Sequence, residues 1–208
     1  MSIQLYPIFR RRNAPFRSGS GPEGDQVDRD SAATIRSLPL ADWELGNLGS
    51  SSTAMRLSFK ITQPIDIPES TVQFLRGYRQ SAIALETGGA LAGFLRKDDI
   101  WVISHPMAPS PRNRAGRFWV KRHRGDAQKS VEGVFRETDG IVNYIGEWHT
   151  HPEPVPTPSG KDRKMIADLL RTSRLEIRFL IGVIVGTSGA LCVWCQDADA
   201  RIEVSIIR

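Results

Sequence analysis

IVNYIGEWHTHPEPVPTPSGKDRKMIADLLRTS, residues 141–173, carries a strand, a stiff loop and a helix in a single run. IVNYIGEWHTH alternates with the two-residue rhythm of a strand, and SGKDRKMIADLLRTS spaces its apolar residues as an amphipathic helix does. Pro152, Pro154, Pro156 and Pro158 stiffen the connection. The chain has four histidines, and two of them, His149 and His151, close the strand. Residues two apart in a strand project to the same face, so these imidazoles can meet one ion while Thr150 turns away. Two surface histidines at a strand end would show the same spacing. The second half is equally open when read alone. Ser159-Gly160-Lys161-Asp162 before the helix fits a capping box, with Ser159 as N-cap and Asp162 at N3, and such a cap needs no histidine. A metal site can use the same geometry, because the first helical turn holds an aspartate firmly. Asp162 would then be the third ligand and water the fourth, the pattern of a catalytic rather than a structural zinc. The two roles of Asp162 are compatible. Zinc in such a place lowers the pKa of its water to roughly 7 and calls for a general base, for which the sequence offers Glu86 and Glu147.

Composition sets the frame. With 208 residues, 40% hydrophobic and 25% charged, the chain can build one domain with a real core. No apolar run approaches the ~20 residues of a membrane helix, and MSIQLYPIFRRRNAPFR lacks the apolar stretch of a secretory signal. A cytoplasmic location is expected. Cys192 and Cys195 lie in ALCVWCQ, a strand-like run. No second cysteine pair completes a zinc knuckle, and residues three apart in a straight strand face opposite ways. Both are expected as core residues. The net charge of +5 is concentrated at Arg10, Arg11, Arg12 and Arg17, and again at Arg112, Arg114, Arg117, Lys121, Arg122 and Arg124. Such patches can attract nucleic acid or an acidic protein. Phe118 and Trp119 come with no stacking or groove-binding motif, so a solvated loop is expected over a nucleic-acid surface.

Residues 1–54 differ in kind. SGSGPEGD and GNLGSSST are rich in Gly and Ser, without sustained period. They read as a low-complexity, disordered extension, with LPLADWELGNL as an apolar patch able to form a short docking element. Met55 opens a strand pattern, so a translation start at that residue is a second reading. Over residues 55–208 the pattern predicts a strand at RLSFKITQ and a helix at IPESTVQFLRGYRQSA. Two strands follow in ALAGFLRKDDIWVISHP, joined by a turn at Lys97-Asp98-Asp99, and then a helix from Asp126 to Glu137. After the run quoted above, LEIRFLIGVIVGT, ALCVWCQ and RIEVSIIR predict a closing meander. The mixture predicts an α+β sandwich, one sheet flanked by helices.

H-x-H, seven residues and S-x-x-D, with an upstream glutamate beside a glycine pair in ETGGALAGF, resembles the JAMM motif of the JAB/MPN metalloprotease family. The matching residues are His149, His151, Ser159, Asp162 and Glu86, and the likeness runs from Met55 to the end. It implies the JAB/MPN fold, a cytidine-deaminase-like mixed sheet in an α/β/α-type sandwich. It also implies one Zn2+ per chain held by His149, His151 and Asp162, with Glu86 as general base and acid. Ser159 would steady the tetrahedral intermediate through its hydroxyl. Glu147, two residues before His149, falls on the histidine face. It is either a partner that orients an imidazole or a solvated strand residue, and Glu86 is the expected base.

YIGEWHTHPEP is similar to small bacterial JAB proteins encoded with ubiquitin-like conjugation enzymes, in particular the deconjugating proteases of CBASS anti-phage operons. In those systems a ubiquitin-transfer-like enzyme joins the C-terminus of a nucleotide cyclase, the CD-NTase, to target amines, and the JAB protein removes it. The resemblance implies a hydrolase of the amide or isopeptide bond after the C-terminal residue of a protein modifier. Its partners would be a CD-NTase or ubiquitin-like conjugate and the activating and conjugating enzyme of the same operon, with neither membrane nor nucleic acid. The modifier tail would enter as an added strand, and the basic segment 112–124 could meet an acidic partner surface. Two further readings stay open: a JAB protease processing a bacterial ubiquitin-like or sulfur-carrier protein, and a non-catalytic MPN scaffold. Scaffolds of that kind usually lose ligands, and this sequence retains them.

Overall fold

The computed structural model describes residues 54–81 and 83–208. The extension expected over residues 1–54 therefore lies, apart from Ala54, outside the described residues. In chain order the elements are β1 (Met55–Leu57), β2 (Ile65–Ile67), α1 (Glu69–Arg76), β3 (Gly88–Leu95) and β4 (Trp101–Pro106). Then come β5 (Arg114–Gly116), β6 (Trp119–Lys121), α2 (Arg124–Glu137), β7 (Asn143–Thr150) and α3 (Gly160–Thr172). The chain closes with β8 (Phe179–Val185), β9 (Leu191–Asp197) and β10 (Ile202–Ile207). One eight-stranded sheet has the order β1-β2-β4-β3-β7-β8-β9-β10, and β5 pairs only with β6. The sheet is mixed: β2 with β4 and β7 with β8 run parallel, the other neighbours antiparallel. A parallel pair needs a long crossover. Between β7 and β8 that crossover is the proline loop and α3, which is how the fold brings Asp162 back over the histidines.

Each face of the sheet has its own core. Val72 and Leu75 of α1 pack with Ile65, Ile103, Ile181 and Trp148 on one face. On the other, Val131 of α2 and Ile166 of α3 pack with Tyr144, Leu180, Ile184 and Trp194. Helices thus cover both faces, the α/β/α arrangement. Cys192 and Cys195 are buried, unbridged and divided between the two cores, as strand alternation requires.

β7 carries an irregularity that matters for the site. Its pairing with β3 steps from Leu91↔Gly146 to Ala92↔Tyr144, so Ile145 is an extra residue on that side, a β-bulge. Tyr144 faces the α2–α3 core and Ile145 the α1 core. Beyond the bulge the parity is reversed. Trp148 points to α1, its ring 5.0 Å from that of Tyr78 and 6.2 Å from that of Phe74. His149 faces the opposite side, edge-on to Trp194 at 6.3 Å.

Several expected elements are corrected. RLSFKITQ is strand only at its start: β1 ends at Leu57, and Phe59 is buried from the loop that follows. β2, a fully buried Ile-Asp-Ile, was not expected as a strand and takes Ile67, the first residue of the expected helix; α1 is shorter, opening after Pro68 and stopping before Gly77. The basic loop contains the β5–β6 hairpin. Among the described residues no helix is long and apolar enough to cross a membrane.

Candidate metal centre

The two strand-end histidines meet the first turn of α3. His149 Nε2 lies 3.0 Å from His151 Nε2, Asp162 Oδ1 lies 3.2 Å from His149 Nε2, and Asp162 Oδ2 lies 3.5 Å from His151 Nε2. A tetrahedral zinc about 2.0–2.1 Å from its ligands separates neighbouring ligand atoms by about 3.3 Å. The three observed spacings bracket that value, so the residues fit the ion. All three also lie in the one group of His, Cys, Asp and Glu side chains, among the described residues, able to hold a metal. Both histidines are buried, which removes the reading of them as surface residues.

Asp162 divides its work between its oxygens. Oδ2 accepts from the Ser159 backbone N–H at 2.7 Å while Asp162 N–H donates to Ser159 Oγ at 3.3 Å, completing a capping box. Oδ1 is left to face His149. The Ser159 hydroxyl accepts within the cap and keeps its own O–H free to donate. The proline loop is fixed at its far side. Thr187 N–H donates to Glu153 O at 2.9 Å, Ser188 Oγ donates to Pro154 O, and a Cβ at Gly186 would lie 2.7 Å from Pro156 Cδ. Only glycine admits so close an approach.

Glu86 sits just before β3. Its N–H donates to Gly116 O at 2.9 Å, and Thr87 N–H donates to Thr150 Oγ1 at 3.0 Å, tying the segment to the hairpin and to the histidine strand. Gly88 stands opposite His149, where a Cβ would come within 2.9 Å of the His149 Cβ. The glycine therefore lets the glutamate segment close on the histidines. Glu86 Oε1 lies 4.0 Å from His151 Nε2, too far to bond and near enough for one bridging water.

The electrostatics follow from burial among opposite charges. Desolvation pushes the Glu86 carboxyl up from 4.5 to about 7, against the pull of His151. Burial lowers the His149 pKa and favours the neutral, ligating imidazole. His151 is raised: desolvation opposes its charge but is outweighed by Asp162, Glu86 and Glu153. Asp162 is desolvated too, yet hydrogen bonds from His149 and His151 hold it well below the ordinary carboxylate range. The centre draws positive charge.

Two sequence readings change here. Glu147 is on the histidine face, but its carboxylate is directed to Tyr144 and Arg122 rather than to an imidazole or to solvent. It is 1% exposed, Tyr144 Oη donates to its Oε1 at 2.5 Å, and Arg122 forms an ion pair with its Oε2. Arg122 is correspondingly half-buried, its side chain 15% exposed, rather than part of a solvated loop, and its NH2 reaches Met165 Sδ at 3.7 Å. Arg112 is paired with Asp126. Arg112, Arg114, Arg117, Lys121 and Arg124 are exposed, beside exposed Phe118 and Trp119. A lone glutamate on the inward face of an apolar strand was the available signal that a buried cation would come to it. Which cation it would be is a long-range matter.

Comparison with known proteins shows the family. Residues 68–197 match the family model described as prokaryotic homologs of the JAB domain. A protein named CD-NTase/cGAS isopeptidase from Escherichia coli (strain TW11681) is 38% identical over 101 residues, 47% of this chain and 63% of that protein. Another of the same name from Pseudomonas aeruginosa (strain BWHPSA011 / Pa011) is 30% identical over 119 residues, 57% of this chain and 74% of that protein. A probable metalloprotease from Sinorhizobium fredii (strain NBRC 101917 / NGR234) is 28% identical over 107 residues, 51% of this chain and 65% of that protein. The chain spans less than two thirds of the first of these relatives. With the matched region running from the start of α1 through β9 and enclosing every residue of the centre, the chain belongs to the family of prokaryotic homologues of the JAB domain.

Proposed function

We propose that this protein is a cytoplasmic, zinc-dependent isopeptidase that hydrolyses the bond after the C-terminal residue of a conjugated protein modifier. The observation that carries the reading is the convergence of His149, His151 and Asp162 beside a buried carboxyl, Glu86, held near neutrality. His149, His151 and Asp162 would hold the ion, and a zinc ion bound there would supply Lewis acidity to water and to the scissile carbonyl. Glu86 Oε1 takes the proton of the attacking water and returns it to the leaving amine, a task matched to a pKa near the working pH. The Ser159 O–H donates to the oxygen on which charge develops. The relatives named CD-NTase/cGAS isopeptidase favour a CD-NTase as the modifier, with the conjugating enzyme of the same operon as the partner whose product is reversed. The exposed Leu85, Phe118 and Trp119 around the Glu86 segment and its hairpin offer the modifier an apolar landing surface. The probable metalloprotease relative favours a second reading, in which a bacterial ubiquitin-like or sulfur-carrier protein is processed at the same centre.

The test is intact-mass analysis of a CD-NTase fused through its C-terminus to a reporter and incubated with the protein, with Glu86→Ala and a chelator as controls. A single cut after the CD-NTase terminal residue, lost in both controls, is expected. Cleavage that survives the chelator would overturn the metal reading. Cleavage only of a ubiquitin-like fusion would move the substrate to the second reading.

A further inference from the structure

We infer that the pair of half-buried Arg122 and buried Glu147 positions the metal triad, holding the histidine strand and the Asp162 helix at ligand distance; this rests on the metal reading proposed above. The pair lies where the elements of the centre meet. Glu147 is two residues before His149 on the same face of β7; its Oε1 accepts from Tyr144 Oη at 2.5 Å and its Oε2 is ion-paired with Arg122. The other end of the same guanidinium reaches Met165 Sδ at 3.7 Å. Met165 follows Asp162 by three residues, on the same side of α3. The segment that delivers Arg122 is anchored in turn to β3. Asn113 Nδ2 donates to Gly88 O at 3.1 Å and Asn113 Oδ1 accepts from His123 N–H at 2.9 Å. Gly88 is the residue paired with His149. One stretch, 113–123, therefore touches all three elements that frame the centre.

Stability alone gives such a pair little reason to be there. A desolvated ion pair loses hydration that its mutual attraction scarcely repays, and apolar residues of similar volume often serve a fold as well or better. A guanidinium between two elements does what an apolar side chain cannot: one NH2 group pairs with the Glu147 carboxylate while the other meets the Met165 thioether, so a single side chain ties β7 to α3. His149 and Asp162 come from different elements, and their 3.2 Å separation needs such a constraint.

The test uses the full chain stripped of metal, with Co2+ as probe because its visible absorption reports ligand geometry. The double variant Arg122→Met/Glu147→Leu is compared with Arg122→Lys, with folding followed by thermal melts. The double variant is expected to melt with the wild type yet bind Co2+ about 10–100-fold more weakly, with a shifted spectrum. Arg122→Lys, which keeps the charge and loses the fork, should fall between them. Wild-type affinity and spectrum in the double variant would overturn the inference. Should that variant fail to fold, wild-type affinity and spectrum in Arg122→Lys would do the same. Failure of the wild-type chain itself to take up Co2+ would overturn the metal reading, and this inference with it.

Discussion

Replacing Glu86 by glutamine should stabilise the metal-free protein, and should do so only where the carboxyl would otherwise be charged. The group ionises near 4.5 when solvated and near 7 in the fold. Between those values the folded chain binds a proton that the unfolded chain has released, so stability falls as pH rises from 4.5 and levels off above 7. At about 1.36 kcal/mol per pH unit, the full penalty is about 3 kcal/mol. Glutamine has the shape of the protonated acid and escapes it. The gain should be under about 1 kcal/mol at pH 5 and about 3 kcal/mol at pH 8. For a protein of this size that is a rise of roughly 6–12 °C in melting temperature at pH 8. Thermal melts in chelator at the two pH values measure it, with catalysis lost in the same variant. Saturating zinc should shrink the gain, because a cation beside Glu86 stabilises the carboxylate. A gain equal at both pH values, or a loss at pH 8, would refute the reasoning, since desolvation of the charged form would not be what raises this pKa.

Zinc at about 1,000 times its dissociation constant should stabilise the chain by about 4 kcal/mol, and Asp162→Asn should abolish most of that rise in a calorimetric scan. Ser159→Ala should cost about 1 kcal/mol through the lost cap, whereas Ser159→Gly costs only a few tenths. Both should lower kcat by about 10²–10³ if the hydroxyl serves the developing charge, so urea titration and turnover separate its two roles. Alanine at both Phe118 and Trp119 should raise KM for a modifier conjugate and leave kcat unchanged, as steady-state kinetics would reveal.

Much of the fold was visible in the sequence where local period and burial agree. The run 141–173 is the clearest instance: its strand and helix periods differ, prolines separate them, and the cap residues announce the turn into α3. The gathering of His149, His151 and Asp162 was expected from the family resemblance, the stretch alone leaving a strand end and a helix cap open, and the fold brings the three side chains together. β2 escaped because three buried residues between prolines are too few to show alternation. The β5–β6 hairpin escaped because its basic, glycine-containing residues carry no apolar rhythm, and its pairing is held partly by the bond from Glu86 to Gly116 O. Arg122 was read as solvated because charge in a loop usually is. Its partner lies 25 residues on, in an element whose facing is set only after the sheet is assembled.

The extra residue at Ile145 works as a phase shifter in β7. Upstream of it the even-numbered Tyr144 belongs to the α2–α3 side, and downstream that side belongs to the odd-numbered Glu147 and His149. A one-residue deletion between Tyr144 and Glu147 would keep the strand a strand and exchange what its two sides present. Either Trp148 would swing toward α3 and the imidazoles toward α1, or Tyr144 would lose its glutamate. The loop from Pro152 to Pro158 has no such parity to respect, since it need only deliver Ser159 to the start of a helix. A change of length before the histidines therefore exchanges the two faces outright, whereas one after them leaves the faces alone and disturbs the packing of the loop on Gly186, Thr187 and Ser188. In this chain the chemistry depends on counting residues inside a strand as much as on which residues they are.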